Sequence, residues 1–142
     1  EDPLRGTDPQ TTFSANLRRF IHEVRAKQAE PILATPVARR KFDATGKLQP
    51  THGAYPEALR TVAKSEKVPL LDLEHATSAW LQATGDESAK KFFMWIEPGK
   101  FEKLNEGKKD DPHFVAPGAV KVAELAVAQL REQKLPLAQW LK

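Results

Sequence analysis

The chain has 142 residues, of which 40% are hydrophobic, so it is long enough for one domain, or a large piece of one, with a core of ordinary size. Its 22 basic and 19 acidic residues are interleaved and give a formal charge of +3, a mixture that leaves no basic stripe and argues against a nucleic-acid partner. The absence of cysteine excludes disulfides, zinc-thiolate sites and a thiol nucleophile, and no apolar run approaches the ~20 residues that cross a bilayer.

The chain begins with a polar segment that contains prolines and a glycine. Residues 1 to 6 lack the charged and apolar regions of a signal peptide, and residues 1 to 11 are predicted to form a loop. This loop is expected to lead into a helix capped near Thr11 or Thr12 and ending near Lys27. Apolar residues recur along that helix at helical spacing, and they are Phe13, Leu17, Phe20, Ile21 and Val24.

Two short apolar runs follow, Pro31–Pro36 and Val68–Leu73, and each suits a strand that is buried on both faces. The stretch from Val37 to Thr51 has no periodicity and is predicted to be a long loop. A helix from about Tyr55 to Glu66 is predicted between the two strands, with one apolar face formed by Tyr55, Leu59, Val62 and Ala63. Because a strand, a crossover helix and a second strand return in the same direction, this order predicts an α/β fold with a parallel sheet.

The rest of the chain is predicted to contain two helices around a long irregular region. The third helix is defined by Ala76, Ala79, Trp80 and Ala83. Residues 86 to 114 are predicted to be irregular. The closing helix runs from Ala119 to about Gln133, and its expected buried stripe is Val120, Ala123, Val127 and Leu130.

Two parallel strands do not make a stable sheet by themselves. Strands covered on both faces leave backbone donors and acceptors unpaired at both outer edges. Three or more strands are therefore expected to be missing. The pattern predicts that this chain is the carboxyl-terminal part of a larger α/β domain.

The segment Asp110-Asp111-Pro112-His113 precedes the closing helix and places a carboxylate three positions ahead of an imidazole. Such a histidine can lean over the end of a sheet while Asp110 orients one ring nitrogen, which is the base and orienting half of a nucleophilic hydrolase. A solvated acidic turn is the alternative interpretation. The activated serine is not found, since no serine follows a Gly-Asp pair or a strand-to-helix turn; the serines are Ser14, Ser65, Ser78 and Ser88.

Other side chains have two interpretations each. His52 either contacts a ligand at the active end of the sheet or bonds a nearby backbone group. The basic run Arg39–Lys41 either contacts an acidic polysaccharide or forms a solvated or salt-bridged loop. His22 and His75 are predicted to be surface or capping residues, and no histidine pair has a metal-ligand spacing. Aromatic residues near the acidic loop either stack on sugar rings or pack in the core; they are Phe93, Trp95 and Phe101.

Four segments occur in a set order along the chain: Thr35-Pro36-Val37-Ala38-Arg39-Arg40-Lys41-Phe42, Thr51-His52-Gly53-Ala54-Tyr55-Pro56-Glu57-Ala58, Val68-Pro69-Leu70-Leu71-Asp72-Leu73 and Asp110-Asp111-Pro112-His113-Phe114. Taken together, they resemble the GDSL or SGNH hydrolases, and most closely the rhamnogalacturonan acetylesterase branch. The resemblance extends from about Thr7 to Leu141 and so covers nearly the whole chain.

The resemblance implies a flavodoxin-like, three-layer α/β fold with a parallel sheet, of which this chain supplies the C-terminal strands and helices. Residues 1–142 are then the C-terminal portion of a single SGNH hydrolase domain. By resemblance to the family block Asp-x-x-His, Asp110 and His113 are the two members of a catalytic triad that accompany the serine, although Pro112 stands where many members have threonine. The family blocks that carry the serine and the oxyanion-hole residues have no counterpart here. The nucleophile is therefore expected on polypeptide that precedes Glu1, and this chain alone is expected to be inactive.

The function implied is that of a carbohydrate esterase, secreted or periplasmic, which removes acetyl groups from a plant cell-wall polysaccharide such as rhamnogalacturonan. The expected partners are an acetylated polysaccharide or oligosaccharide and the N-terminal part of the same enzyme, with no metal, cofactor, nucleic acid or membrane. Substrate-binding residues are not assigned. The alternative is a non-catalytic carbohydrate-binding or scaffold piece in which Asp110 and His113 are only structural.

Overall fold

A computed structural model describes residues 6 to 141. The predicted N-terminal loop, residues 1 to 11, thus lies partly outside the described residues. The chain divides into two units, of which the first holds residues 6–36 and 52–72 and the second holds residues 37–51 and 73–141 of the described part.

The first unit contains two helices and two very short strands. A π-helical turn, Pro9–Phe13, leads into α1, Ser14–Ala26. Strand β1, Leu33–Ala34, is followed by α2, Tyr55–Glu66, and by β2, Leu70–Leu71. The predicted order of helix, strand, helix and strand is therefore observed.

The amino-terminal helical turn starts earlier than the sequence predicted. Asp8, and not Thr11 or Thr12, is the capping residue, because its carboxylate accepts hydrogen bonds from the backbone N–H groups of Gln10 and Thr11 at 3.0 and 2.9 Å. Pro9 then occupies the first helical position, where its missing N–H leaves no donor unpaired. The prediction of a loop at residues 9 to 11 was wrong for this reason.

Strands β1 and β2 pair in parallel, with Leu33 opposite Leu70 and Ala34 opposite Leu71. The N–H of Leu33 donates to the carbonyl of Pro69 at 2.9 Å, and the N–H of Thr35 donates to the carbonyl of Leu71 at 3.0 Å. Both strands are shorter than predicted, and neither is buried on both faces, since Ala34 of β1 is exposed and both residues of β2 are only half-buried. In the described part of the chain no third strand extends this sheet.

The core of the first unit lies where α1, α2 and β1 meet. Ile21, Val62 and Val68 are buried there, and Leu17 and Leu33 pack against them. Phe20, which was predicted to share the buried stripe of α1, is 51% exposed, and the guanidinium of Arg19 lies 5.1 Å from its ring centroid.

The second unit is built from helices around a β-hairpin. It contains α3, Leu73–Thr84, the short helix α4, Asp86–Ala89, and a 3₁₀ turn at Lys90–Phe92. Strand β3, Phe93–Ile96, and strand β4, Lys108–Phe114, flank a loop that holds the 3₁₀ turn Glu102–Leu104. Helix α5, Ala116–Glu132, and a last 3₁₀ turn, Pro136–Trp140, complete it.

The prediction that residues 86 to 114 are irregular was wrong. Residues 93 to 96 read Phe-Met-Trp-Ile, a short run with strong strand preference. The loop returns the chain at Gly107, whose φ of +75° and close approach to the carbonyl of Ile96 leave no room for a Cβ. Strand β4 is charged and contains Pro112, so only its pairing with β3 makes it a strand.

The core of the second unit lies under this hairpin. Its buried residues are Ala38, Leu81, Ala89 and Phe93. Phe114 packs on Phe93 with ring centroids 4.6 Å apart. Helix α5 buries Leu130, whereas Val120, which was expected in its buried stripe, is 58% exposed.

No helix within residues 6–141 is long and apolar enough to span a membrane.

Candidate active site

The Asp110–His113 segment lies inside strand β4, at an irregularity of the hairpin. Ile96 pairs with Lys108 and Met94 with Asp110, but the next residue of β3, Phe93, pairs with Phe114. Three residues of β4, numbers 111 to 113, thus have no opposite residue on β3 and form a wide bulge. Pro112, which has no N–H to donate, is placed where the strand ladder is already interrupted.

The bulge turns His113 back onto Asp110. The backbone N–H of His113 donates to Oδ1 of Asp110 at 2.8 Å, and Nδ1 of its ring lies 2.8 and 2.9 Å from the two carboxylate oxygens. The Asp110 side chain is only 10% exposed, whereas the His113 side chain is 68% exposed. Nε2 of His113 makes no hydrogen bond to any described residue. The structure therefore brings the two predicted residues together, with one ring nitrogen held and the other open.

The Asp110 carboxylate is strongly stabilised in its charged form. Burial alone raises its pKa, but this effect is outweighed by the hydrogen bonds from the backbone and ring of His113 and from Lys108, which together lower the pKa from 3.8 to about 2. Nζ of Lys108 lies 3.1 Å from Oδ2. Asp110 is thus an anion over the ordinary pH range and is suited to orient the imidazole of a general base.

The neighbouring carboxylate, Asp111, has a different set of contacts. Its Oδ1 accepts a hydrogen bond from Nε of Arg40 at 2.7 Å and another from the indole N–H of Trp95 at 2.8 Å. Its backbone carbonyl accepts the N–H of Arg40 at 3.0 Å. The guanidinium of Arg40 also pairs with Asp86 and lies 4.5 Å from the ring centroid of Trp95. These contacts hold the bulge at Asp111.

This cluster of Arg40, Asp86, Trp95 and Asp111 was not predicted from the sequence. The Arg40 side chain is only 6% exposed, so the salt-bridged interpretation of the basic run holds for this residue, whereas Arg39 and Lys41 are exposed. Among the aromatic candidates, Phe93 is a core residue, Trp95 is half-buried against Arg40, and Phe101 is 53% exposed. The sequence carried no signal for the Arg40–Asp111 pair, which joins residues 71 positions apart.

The serines have no activating partner among the described residues. Ser14 is buried, and its hydroxyl donates to the carbonyl of Pro9 at 2.7 Å. Ser65 donates to the carbonyl of Val62, and Ser88 is exposed in α4. Ser78 lines a cleft of about 360 Å³ together with Glu74 and His75, yet its hydroxyl bonds to neither.

The remaining histidines are not part of this pair. His22 is exposed and its Nε2 lies 3.1 Å from Glu66, as expected for a surface residue. His75 is exposed near the start of α3, and His52 is half-buried in the turn before α2. No group of three or more His, Asp or Glu side chains within residues 6–141 has a metal-binding arrangement.

The fold and the sequence of the chain are similar to those of proteins named as esterases. The crystal structure of YxiM from Bacillus subtilis superposes with a TM-score of 0.76 at 26% identity, and covers 95% of this chain and 34% of YxiM. YxiM is described as an uncharacterized esterase, and its sequence is 29% identical over 127 residues, or 89% of this chain and 30% of YxiM. The α/β fold class is confirmed by this match. No protein-family model matches the chain.

Two further relatives from Bacillus subtilis (strain 168) narrow the resemblance. Rhamnogalacturonan acetylesterase RhgT is 38% identical over 137 residues, which are 96% of this chain and 59% of RhgT. The probable rhamnogalacturonan acetylesterase YesY is 33% identical over the same length, or 96% of this chain and 58% of YesY. The predicted resemblance to SGNH/GDSL esterases is confirmed, and the chain spans less than two thirds of the length of the curated relatives it matches.

Proposed function

We propose that this chain is the C-terminal portion of a single SGNH hydrolase domain, in a carbohydrate esterase, and that it supplies Asp110 and His113 of a Ser-His-Asp triad. The observation that carries the proposal is the 2.8 Å contact between Nδ1 of His113 and the Asp110 carboxylate, on an exposed ring whose Nε2 has no partner within residues 6–141. This is the arrangement that a general base requires: one nitrogen fixed in its tautomer and the other open to a hydroxyl.

In the proposed reaction, Nε2 of His113 removes the proton of a serine hydroxyl as the serine oxygen attacks the acetyl carbonyl. The imidazolium then donates this proton to the sugar oxygen that leaves, and in the second half of the reaction the imidazole activates water in the same way. The Asp110 carboxylate holds the ring and stabilises the positive charge. No step uses a metal or a cofactor.

The serine is proposed to come from polypeptide N-terminal to this chain in the same enzyme. Two observations support this step. The relatives are longer than the aligned region, and none of the serines here has an activating partner among the described residues. In addition, the N–H of Ala34 at the outer edge of β1 has no acceptor in the described part, as expected for a strand that awaits a neighbour.

The proposed substrates are acetyl esters on a plant cell-wall polysaccharide such as rhamnogalacturonan. This proposal rests on the names of RhgT and YesY. Because such polysaccharides lie outside the cell, a secreted or periplasmic location is proposed with it.

The test is acetyl release from acetylated rhamnogalacturonan by a preparation that contains both this chain and the serine-bearing polypeptide. His113→Ala is expected to lower kcat by about 10²- to 10⁴-fold, the usual contribution of a general base, and Asp110→Asn by a similar factor. The matched control is His22→Ala, because His22 is an exposed histidine paired only with Glu66 in the described part, and its loss is expected to leave kcat unchanged.

Two measurements would contradict the proposal. Turnover by His113→Ala within a few-fold of the unchanged enzyme would exclude the imidazole as the base. Labelling of one of the serines of this chain by a fluorophosphonate, located by mass spectrometry, would contradict the proposed position of the nucleophile.

A further inference from the structure

A cleft beside the Asp110–His113 pair has no part in the proposed reaction. It has a volume of about 530 Å³, and its walls include Trp95, Lys108 and Lys109 of the hairpin. This volume lies within the range of ~300 to 1,000 Å³ that is usual for ligand sites. Lys108 also binds Oδ2 of Asp110 at 3.1 Å, so the cleft adjoins the carboxylate that holds His113.

The indole ring of Trp95 holds cationic side chains in this cleft. Lys109 lies directly opposite Trp95 in the pairing of β3 with β4, and its Nζ is 5.7 Å from the ring centroid. Nζ of Lys90 lies 4.4 Å from the same centroid. Because the face of an aromatic ring attracts a cation, both ammonium groups are held at the wall of the cleft.

Lys109 is the one lysine of the cleft that has no carboxylate partner among the described residues. Nζ of Lys90 lies 2.7 Å from both carboxylate oxygens of Glu87, and Lys108 is paired with Asp110. In the described part of the chain, the only polar or ionic interaction of the Lys109 side chain is with the indole ring. Its ammonium group is therefore positioned but not neutralised, and it can bind an external anion.

Two carboxylates of the same cleft have no cation of their own. Glu97 and Glu106 line the cleft, and neither side chain makes an ion pair or a hydrogen bond to another described residue. The lining contains three lysines and three glutamates, so its formal charges cancel and it does not collect anions through net charge. It offers instead one unpaired ammonium group and two unpaired acceptors for hydroxyl groups.

We propose that this cleft is a subsite for a uronic acid residue of the polysaccharide, and that Lys109 binds the uronate carboxylate. This inference deepens the proposed function and rests on it for the identity of the polymer. A uronate pyranose has one carboxylate, which pairs with the ammonium group, and several hydroxyl groups, which donate to Glu97 and Glu106. One such sugar thus satisfies all three unpaired groups. A neutral hexose lacks the group that Lys109 recognises.

Direct binding tests the inference without any ester chemistry. Trigalacturonate, which carries no acetyl group, is titrated into the serine-bearing preparation, and neutral galactotriose is titrated in parallel. The NMR signal of the Trp95 indole N–H, assigned with Trp95→Phe, reports on the cleft. Trigalacturonate is expected to shift this signal and to bind about 2- to 5-fold more tightly than galactotriose, the size of one exposed ion pair.

Three variants show whether Lys109 is the source of this preference. Lys109→Met is expected to abolish the preference for the charged sugar, and Lys109→Arg to retain it, because a guanidinium keeps the charge. Lys103→Met removes an equal charge from the exposed turn of the same hairpin, outside the cleft, and should change the affinity for trigalacturonate by less than about 1.5-fold. In 1 M salt the preference should shrink, because Lys109 is exposed.

Three outcomes would overturn the inference. They are equal affinities for the charged and the neutral sugar, equal losses in the variants at 103 and 109, and a Trp95 signal that trigalacturonate does not move. These outcomes are independent of the catalytic test. Loss of acetyl release in His113→Ala without any sugar preference would retain the proposed function and remove the subsite, whereas a sugar preference that depends on Lys109, beside full activity of His113→Ala, would do the reverse.

Discussion

At the scale of single residues, the adjacent carboxylates of Asp110 and Asp111 in β4 bind different partners. Asp110 holds the ring and backbone of His113, whereas Asp111 holds Arg40 and the indole N–H of Trp95. The two carboxylates have no side-chain partner in common, so Asp110 and Asp111 do not compete for one. We therefore expect substitutions at the two positions to differ in kind: those at 110 alter the orientation of His113 and the proposed catalysis, and those at 111 lower the stability of the hairpin.

The lowered pKa of Asp110 predicts a pH dependence of stability. A carboxylate with a pKa of about 2 in the folded chain, below its ordinary 3.8, binds fewer protons folded than unfolded. Its contribution is therefore complete above about pH 4 and is lost as the pH falls through about 2. Urea unfolding of the unchanged chain and of Asp110→Asn, at several pH values from 5 to 2, should show a stability difference that narrows on acidification. Parallel curves would contradict this assignment.

The burial of Arg40 predicts a structural role for its guanidinium. Arg40→Met leaves Asp111 and Asp86 without their shared cation and is expected to reduce the free energy of unfolding by about 2 to 3 kcal/mol, a usual size for hydrogen bonds to charged groups. The exposed neighbour Arg39 provides the control, since Arg39→Met should change stability by less than about 0.5 kcal/mol. Equal effects of the two substitutions in urea unfolding would show that the ion pair contributes nothing specific.

At the scale of elements, helical and parallel-strand segments were predictable and the hairpin was not. The apolar period of α1 and α2 predicted both helices within a few residues. Strand β4 carries lysines, aspartates and a proline, and its strand form comes from pairing with β3, which periodicity does not report. The Asp110–His113 contact was predictable from spacing and resemblance, but Lys108 and Arg40 were not, because their roles depend on the bulge and on a contact distant in sequence.

Helix α5 is placed against the hairpin through a glycine. A Cβ on Gly118 would collide with the carbonyl of Phe92 and lie 2.7 Å from Cδ1 of Phe114. Gly118→Ala is thus expected to destabilise the chain by about 1 to 3 kcal/mol, as other overpacked sites do, despite the better helix propensity of alanine. Thermal unfolding measures this, with Ala119→Ser at the exposed next position as the control. A Gly118→Ala chain that is more stable than the original would show that α5 can shift away from Phe92 and Phe114 without loss of stability.

At the scale of the whole molecule, the parallel sheet of the first unit consists of two strands among the described residues. Two residues in each strand provide few hydrogen bonds, and the described residues supply no third strand. The two residues of this chain that are proposed for catalysis, Asp110 and His113, belong to the second unit. The proposed N-terminal polypeptide would supply the serine and also pair with the sheet.

Hydrogen exchange tests this pairing. The N–H of Ala34 has no acceptor in the described part of the chain and should exchange slowly only when the serine-bearing polypeptide is present. The N–H of Leu33, already bonded to the carbonyl of Pro69 at 2.9 Å, is the internal reference and should change less. Rapid exchange of Ala34 in an active, complete enzyme would show that the added polypeptide does not extend β1.

The different roles of the adjacent Asp110 and Asp111 affect how a mutational scan is interpreted. Loss of Asp111 frees Arg40 and Trp95, so a variant such as Asp111→Ala is expected to lose activity at elevated temperature because less of the enzyme stays folded. A screen that scores endpoint product would assign this residue to the chemistry. Initial rates measured at low temperature and normalised to the amount of folded protein would distinguish the loss of stability expected at 111 from the loss of catalysis expected at 110.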